Sequence, residues 1–282
     1  MVHFDVVIPI HNISLEQLYE CLFSIESQTH QEFTIYVVES QQSANSETKN
    51  MVLSRGHNYL IQSGKGVSQA RNEGVAAGNS PFIAFLDGDD KWLVNHLADM
   101  DDEIEFADEN YVCWWGDYII PTPLISMKTK AEITGKTLCG DHKSYARFRP
   151  EDWKYYTIPI PLYPSASIVR RTAFEQIGGF DESWLCWEDA IFFNELAQIG
   201  LGKYVENTGC WGTIQTAGTH HTKIDGANTK EDRNYWFQKL QVSTQFPAMD
   251  NKPPEVSDEY WQDLISYCCS QHTEKYSYDI DF

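Results

Sequence analysis

Positive charge is what this chain has least of. Lys and Arg number 21 against 41 Asp and Glu, a formal net charge of −20, and so acidic a balance argues against a general role in gripping nucleic acid or anionic membrane. Long apolar runs are missing too: no window of about 18 apolar residues occurs, the length a membrane helix needs. Met1-Val2-His3 leads straight into a strand-like segment with no basic stretch before an apolar one, so no export signal is read there. The seven cysteines form no C-x-x-C pair and only Cys268-Cys269 are adjacent, which indicates neither a zinc site nor a disulfide framework and fits a reducing cytoplasm. Glycine-rich phosphate loops are absent as well. Gly64-Lys65-Gly66 has the wrong continuation for both G-x-G-x-x-G and G-x-x-x-x-G-K-[ST].

What is present is a chain of 282 residues, 42% hydrophobic, long enough for one large domain or one domain with an appendage. Phe4 to Ile10 is a near-continuous β-branched run, as expected of a strand covered on both faces. Ser14 and Gln17 then form an S-x-x-Q capping box ahead of Leu15, Leu18, Leu22 and Ile25 at helical spacing. The alternation continues with strands over Phe33–Val38, Asn58–Ile61, Pro81–Leu86 and Tyr111–Trp115. Between them lie helices over Ser46–Arg55 and Val67–Ala77 and one marked by Leu93, Leu97, Met100 and Ile104. Such alternation predicts an α/β fold, a mostly parallel Rossmann-type sheet with helices on both faces, and places ligands at the carboxyl ends of its strands.

After Gly116 the pattern loosens into a segment rich in Pro, Tyr and Trp that reads as long loops. Order returns with Ser165–Val169, the turn Gly178-Gly179-Phe180-Asp181 and an amphipathic helix over Trp187–Ile199. Helices are also expected over Lys230–Gln245 and near Asp258–Cys269, on either side of Pro253-Pro254 and ahead of a polar tail.

The chemistry concentrates where the apolar run Pro81–Leu86 ends in Asp87, Asp89 and Asp90. Carboxylates crowded at the end of a buried strand repel one another and lose solvation, so they are tolerated where a cation or a ring of donors compensates them. Hard oxygen ligands suit Mg²⁺ or Mn²⁺, held by one or two carboxylates while phosphates and water fill the other positions. Taken alone, the tetrad reads equally well as an acidic turn. Glu188 and Asp189 stand at a helix start, where the dipole favours negative charge, and taken alone they read first as a simple start signal.

Together these segments resemble the family 2 glycosyltransferases of GT-A fold over about residues 4 to 215. The V-x-I-P-x-x-N segment of that family stands here as Val6 to Asn12, its G-V-S-x-A-R-N run as Gly66 to Asn72, its F-L-D-x-D-D as Phe85 to Asp90, and its acceptor-side segment ending in Glu-Asp as Ser167 to Phe193. The resemblance implies a GT-A-like domain over 1–221, with a nucleotide-sugar half over 1–116 and an acceptor half over 117–221, followed by a short helical and acidic extension over 222–282. It further implies a nucleotide pocket lined by Pro9, His11, Asn12, Glu39, Arg71, Asp87 and Gly88, with Asp87 on the ribose or base and Arg71 giving donors to the phosphate or base. Asp89 would bind a metal, Mn²⁺ or Mg²⁺, and His220 or His221 would complete its shell. Asp189, beside Glu188, would be the general base of an inverting transfer of a single sugar from a nucleotide-diphosphate sugar to an acceptor hydroxyl.

The chain departs from the family in several places. The usual V-D-D-G-S is here Val38-Glu39-Ser40-Gln41-Gln42, so base recognition falls to Glu39. No Q-x-x-R-W motif follows the Glu-Asp pair, which argues against a processive membrane synthase. A sugar nucleotidyltransferase would want a glycine-rich basic loop after the first strand, where His11-Asn12-Ile13-Ser14 stands. A non-catalytic nucleotide or glycan-binding scaffold would have no need of both carboxylate clusters. The acceptor is undisclosed: glycan, lipid-linked sugar and protein all fit, and a long nucleic acid is least favoured. The basic segment Lys128 to Arg149 reads as a patch for an anionic acceptor or as a solvated loop. Trp114, Trp115, Trp153, Tyr155, Tyr156, Tyr163 and Trp184 could stack on sugar rings or simply pack.

Overall fold

The computed structural model describes residues 1–120, 124–125, 132–133, 137–138, 163–184 and 188–211. In chain order the first half runs β1 (Phe4–Ile10), α1 (Leu15–Glu26), β2 (Phe33–Glu39), α2 (Ser46–Ser54), β3 (Asn58–Ile61), α3 (Val67–Ala77), β4 (Phe82–Phe85), β5 (Lys91–Trp92) and α4 (His96–Glu105). The rest comprises β6 (Tyr111–Ile120), β7 (Leu124–Ile125), β8 (Glu132–Ile133), β9 (Thr137–Leu138), β10 (Ser167–Arg170), α5 (Arg171–Ile177), α6 (Glu188–Ile199) and β11 (Leu201–Trp211). The capping box forms as expected, with the Ser14 hydroxyl accepting from the Gln17 N–H at 3.1 Å and the Gln17 side chain accepting from the Ser14 N–H at 3.0 Å.

One sheet of the described residues has the order β3-β2-β1-β4-β10-β6-β11-β5, with β9 against β6; β7 and β8 pair separately. The ladders β2/β3, β1/β2 and β1/β4 are parallel, and so is β6/β11. β10 is antiparallel to both of its neighbours, β4 and β6, so those two point the same way. The sheet is thus mostly parallel, with β10, β5 and β9 running against it. β2 and β3 extend the sheet to one side of β1 while the chain returns to add β4 on the other. That reversal opens a crevice beyond the carboxyl ends of β1 and β4, the place where open α/β sheets bind ligands.

The alternation of side chains along the strands builds two cores. Phe4, Val6, Ile8 and Ile10 of β1 and Phe82 and Ala84 of β4 pack with α1, α2 and α4 through Leu18, Leu22, Val52, Leu97 and Met100. Val7, Ile83 and Phe85 face the other way, onto Val75 of α3, Phe174 of α5, and Phe192, Phe193 and Leu196 of α6. Helices on both faces are therefore present, as the near-continuous apolar strands predict.

The structure corrects several sequence expectations. β6 does not stop at Trp115 but runs to Ile120, and the region expected to be loop carries β7, β8 and β9 as well. The strand expected from Ser165 begins at Ser167, after a 3₁₀ turn over Pro164–Ala166. Pro164 stands in the first helical positions of that turn, where its missing N–H is not needed. α5, β5 and β11 are additional elements. Trp114 and Trp115 lie buried in the two cores, so they pack, and Trp184 is buried too. Trp153, Tyr155, Tyr156, the basic segment from Lys128 to Arg149 apart from its described short strands, and everything beyond Trp211 lie outside the described residues.

His96, at the start of α4, is fully buried beside Trp92 (ring centroids 4.8 Å apart), with Nδ1 2.9 Å from Thr208 Oγ1. Burial depresses its imidazole from the ordinary value of 6.5 to about 3. The unfolded chain therefore takes up a proton below pH about 6.5 that the native state refuses, so stability falls as pH drops from there towards about 3. Replacing His96 by Phe removes the proton but leaves the Thr208 hydroxyl its bond to the residue 96 carbonyl, 3.3 Å away. Unfolding free energies measured against pH should show the wild type losing up to about 1.4 kcal/mol per pH unit more than His96→Phe across that window. Parallel pH profiles for the two proteins would show that His96 is not the acid-sensitive group.

Candidate functional site

The parallel register places the ends of three strands side by side. Ile10 lies opposite Glu39 and Val7 opposite Phe85, and the Leu86 N–H donates to the Val7 carbonyl at 3.1 Å. The residues following β1 and β4, His11-Asn12 and Asp87 to Asp90, therefore rise from the same crevice. Gly88 is buried there, and a Cβ on it would run into the side chains of Ile10 and Ile13, so the acidic turn crosses β1 as closely as only glycine permits.

Asp87 to Asp90 form a fixed turn. The Asp90 N–H donates to the Asp87 carbonyl at 2.9 Å, and the Asp87 N–H donates to Ser165 Oγ at 3.0 Å. The Ser165 carbonyl in turn accepts from Trp92 Nε1 at 2.6 Å. Beneath the turn, the Cys21 Sγ donates to the Asp87 carbonyl at 3.7 Å. Burial, then the charges of Asp90, Asp89 and Asp87, push the Cys21 thiol well above its ordinary value, which registers the negative field of the turn.

Arg71 of α3 is the cation at the centre. Its side chain is 3% exposed, yet it bridges two carboxylates from distant parts of the chain. Nη2 donates to Asp87 Oδ1 at 2.9 Å and Nη1 to Glu188 Oε1 at 3.1 Å. Burial works to lower the guanidinium, but Asp87, Glu188 and Asp189 outweigh it and hold Arg71 above its ordinary value. The guanidinium also lies 5.1 Å from the centre of the Phe180 ring. Both Nη groups of Arg71 are thus aimed at carboxylates, one on either side.

Glu39, at the end of β2, is 3% exposed. It accepts from the Tyr59 hydroxyl at 2.6 Å and from Asn45 Nδ2 at 3.4 Å. Burial raises its carboxyl above the ordinary range, against the pull of the Tyr59 hydroxyl and of the Asn45 main chain. Its oxygens are thus oriented by partners that no sequence pattern singled out. Of the other expected pocket residues, Pro9 is half-buried in β1, whereas His11 and Asn12 are exposed, with Asn12 at φ 51° and its Nδ2 2.9 Å from His11 Nε2.

Glu188 and Asp189 occupy the first turn of α6, both half-buried. Asp87, Arg71, Glu188 and Asp189 are therefore gathered at one place, with Glu39 and His11-Asn12 on the neighbouring strand ends. Asp89 is half-buried in the turn, while His220 and His221 lie outside the described residues. No group of three or more potential ligands among the described residues is arranged to hold an ion. The donor set still fits Mg²⁺ or Mn²⁺: hard carboxylate oxygens, too few to complete a shell, suit an ion whose other positions are filled by phosphate and water.

Sequence reasoning missed Ser165, Tyr59, Asn45 and the role of Asn72. Asn72 stands beside Arg71 on α3, and its side chain grips the main chain of Phe180: Nδ2 donates to the Phe180 carbonyl at 2.8 Å, and Oδ1 accepts the Phe180 N–H at 2.9 Å. Its place within Gly66 to Asn72 was the available signal.

Residues 5–178 match the family described as Glycosyl transferase family 2. Among characterised proteins, the chain is 31% identical over 156 residues to the minor teichoic acid biosynthesis protein GgaA of Bacillus subtilis (strain 168), covering 49% of this chain and 31% of that protein. It is 24% identical over 208 residues to the succinoglycan biosynthesis protein ExoW of Rhizobium meliloti (strain 1021), covering 68% of this chain and 63% of that protein. It thus spans less than two thirds of either relative. In structure it resembles S. aureus TarS 1-349 in complex with UDP-GlcNAc, with TM-score 0.60, 16% identity, and 97% of this chain and 73% of that one covered. It also resembles the mannosyltransferase PcManGT from Pyrobaculum calidifontis in complex with GDP-Man and Mn²⁺, with TM-score 0.60, 14% identity, and 98% and 76% covered. At these identities the likeness shows the fold.

Replacing Arg71 by Met would leave Asp87 and Glu188 facing each other without their shared cation. Removing one member of a buried ionic group costs about 3 kcal/mol or more, so urea unfolding at neutral pH should show a loss of that size for Arg71→Met. A change within about 0.5 kcal/mol, the range of an ordinary surface substitution, would mean that the bridge does not hold the site together.

Proposed function

The chain belongs to glycosyl transferase family 2, and from that premise we propose that it is a metal-dependent, inverting glycosyltransferase moving a single sugar from a nucleotide-diphosphate sugar to an acceptor hydroxyl. The observation that carries this reading is the bridging of Asp87 and Glu188 by Arg71, which brings a donor-side and an acceptor-side carboxylate cluster to one crevice. Residues 1–116 form the donor half in this reading and 117–221 the acceptor half, with 222–282 an extension.

Each residue then has a task. Glu39, oriented by Tyr59 and Asn45, faces the nucleobase. Pro9, His11, Asn12 and Gly88 line the pocket, and Asp87, held by Arg71, meets the ribose. Asp89 would hold Mn²⁺ or Mg²⁺, with His220 or His221 as a further ligand, and the bound ion supplies Lewis-acid neutralisation of the departing nucleoside diphosphate. Asp189 accepts the proton of the acceptor hydroxyl as that oxygen attacks the anomeric carbon from the face opposite the leaving group. The bond from the anomeric carbon to the diphosphate breaks, and the configuration inverts. Glu188 supports this arrangement through Arg71. The solved proteins of like fold that hold UDP-GlcNAc, or GDP-Man with Mn²⁺, support a nucleoside-diphosphate donor and a divalent ion. No helix of the described residues is long and apolar enough to cross a membrane, and Cys21, Cys113 and Cys210 are buried free thiols, consistent with a reducing cytoplasm.

Metal use is tested by titrating UDP and GDP with and without Mn²⁺ in a calorimeter. Binding should strengthen with the ion, and Asp89→Ala should lose that gain while keeping the fold; equal binding in excess chelator would remove the metal from the reading.

The base is tested by transfer from UDP-GlcNAc or GDP-mannose to a set of octyl glycosides. Asp189→Asn should keep nucleotide affinity and slow transfer by about 10²-fold or more, the usual scale of general-base catalysis. Transfer at the wild-type rate by that variant, with inversion retained, would return Asp189 to a helix-start role.

A further inference from the structure

Phe180 is a junction between the two halves of the site. It follows Gly178 and Gly179, both at positive φ (85° and 78°), and a Cβ on Gly179 would come within 2.7 Å of Asn72 Oδ1. The Phe180 ring is 1% exposed. It stacks on Phe192 of α6, with centroids 4.0 Å apart and planes 13° from parallel, and meets Phe85 of β4 edge-on at 5.3 Å. Phe192 lies three residues beyond Asp189, about one helical turn. Phe85 lies two residues before Asp87. The depth of one ring therefore sets the start of α6 against the end of β4, and what fixes the main chain bearing that ring is the Asn72 side chain.

Asn72 reaches one residue further. Its Nδ2 also donates to Glu182 Oε1 at 3.0 Å, on the exposed side of the turn. The amide thus acts as a two-sided clip, accepting from the Phe180 N–H and donating to its carbonyl, while its neighbour Arg71 holds Glu188.

We infer that Asn72 is a positioning residue for the transfer step: by clipping the Phe180 main chain to α3 it registers Asp189 against the donor-side turn, without itself touching donor or acceptor. This rests on the reading of Asp189 as the general base. Both roles ask for the same precision, since displacement of a reacting group by about 1 Å costs up to about 10²-fold in rate.

Asn72→Asp is the informative variant. It keeps the shape of the side chain and an acceptor for the Phe180 N–H, but turns the donating group into a carboxylate oxygen facing the Phe180 carbonyl and Glu182. With whichever donor and octyl glycoside the wild type turns over fastest, kcat should fall about 10-fold to 100-fold. Affinity for the matching nucleoside diphosphate with Mn²⁺ should stay within about 2-fold, because the donor-side contacts are untouched. Glu182→Gln alone should be near wild type, Glu182 being exposed. Combined with Asn72→Asp it should recover only part of the lost rate, since it relieves the repulsion between two carboxylates but leaves the Phe180 carbonyl without its donor. Added to Asp189→Asn, Asn72→Asp should slow transfer little further, because both changes act through one proton acceptor.

Wild-type kcat for Asn72→Asp, with Asp189→Asn slow, would overturn the clip and leave the base standing. So would a parallel loss of kcat, nucleotide affinity and melting temperature, which marks a fold defect, losses that multiply in the Asp189→Asn background, or full recovery of the rate by Glu182→Gln, which would place the effect in the Glu182 contact. Wild-type transfer by Asp189→Asn alone would overturn the base assignment and this inference with it.

Discussion

A buried guanidinium shared by two carboxylates is the constraint on which this site depends. Asp87 ends a strand in the first third of the chain and Glu188 begins a helix 101 residues later, and neither could sit so deep beside the other without a cation between them. Arg71 supplies it, and its planar fork allows one N–H group to be aimed at each partner, which a lysine ammonium could not do with the same fixed angle. Because burial alone disfavours the guanidinium, the arrangement is reciprocal: the carboxylates offset the cost of burying the charge of Arg71, and Arg71 keeps the carboxylates together. Everything that borders the crevice, from the turn beneath Asp87 to the first turn of α6, is referenced to that bridge.

Much of this was legible in the sequence. The strands from Phe4, Phe33 and Phe82 emerged because buried parallel strands are near-continuous apolar runs, and α1 because a capping box and helical spacing bound it. Elements whose reason lies in tertiary structure were not legible. β5 is two residues long and exists by pairing with β11, whose own sequence, with Gly202 and Gly209, carries no strong strand signal. α5 is short and follows directly on β10, so its apolar residues, Ala173, Phe174 and Ile177, blur into the strand ahead of them. β6 outruns its apolar stretch: Gly116 and Asp117 look like a strand end, yet the pairing with β11 resumes from Asp117 to Ile119, after a bulge.

The site shows the same division. Its carboxylates were conspicuous, being unusual at the ends of apolar runs, while the groups that orient them were invisible because Ser165, Asn45, Tyr59 and Asn72 look like ordinary polar residues until their hydrogen bonds are known. For Trp114 and Trp115 the sequence left two uses open, stacking on sugar rings or packing, and the structure takes the second: they fill the two faces of the sheet. Glu39 is intermediate. Its position was legible from the end of β2, but the hydroxyl and amide that fix its orientation belong to β3 and to the residue capping α2.

The antiparallel strand at the middle of the sheet bears on how the chain reaches its shape. β4 and β6 are not paired with each other; β10 lies between them and arrives in the sequence only at residues 167–170. During synthesis, β1 to β4 can assemble from neighbouring segments, but β6 must wait about 50 residues for the strand that joins it to the rest, and both edges flanking the gap stay open meanwhile. Closing so long a loop is slow compared with forming local βα units. An emerging chain of this kind is most exposed to edge-to-edge association in the interval before β10 is inserted.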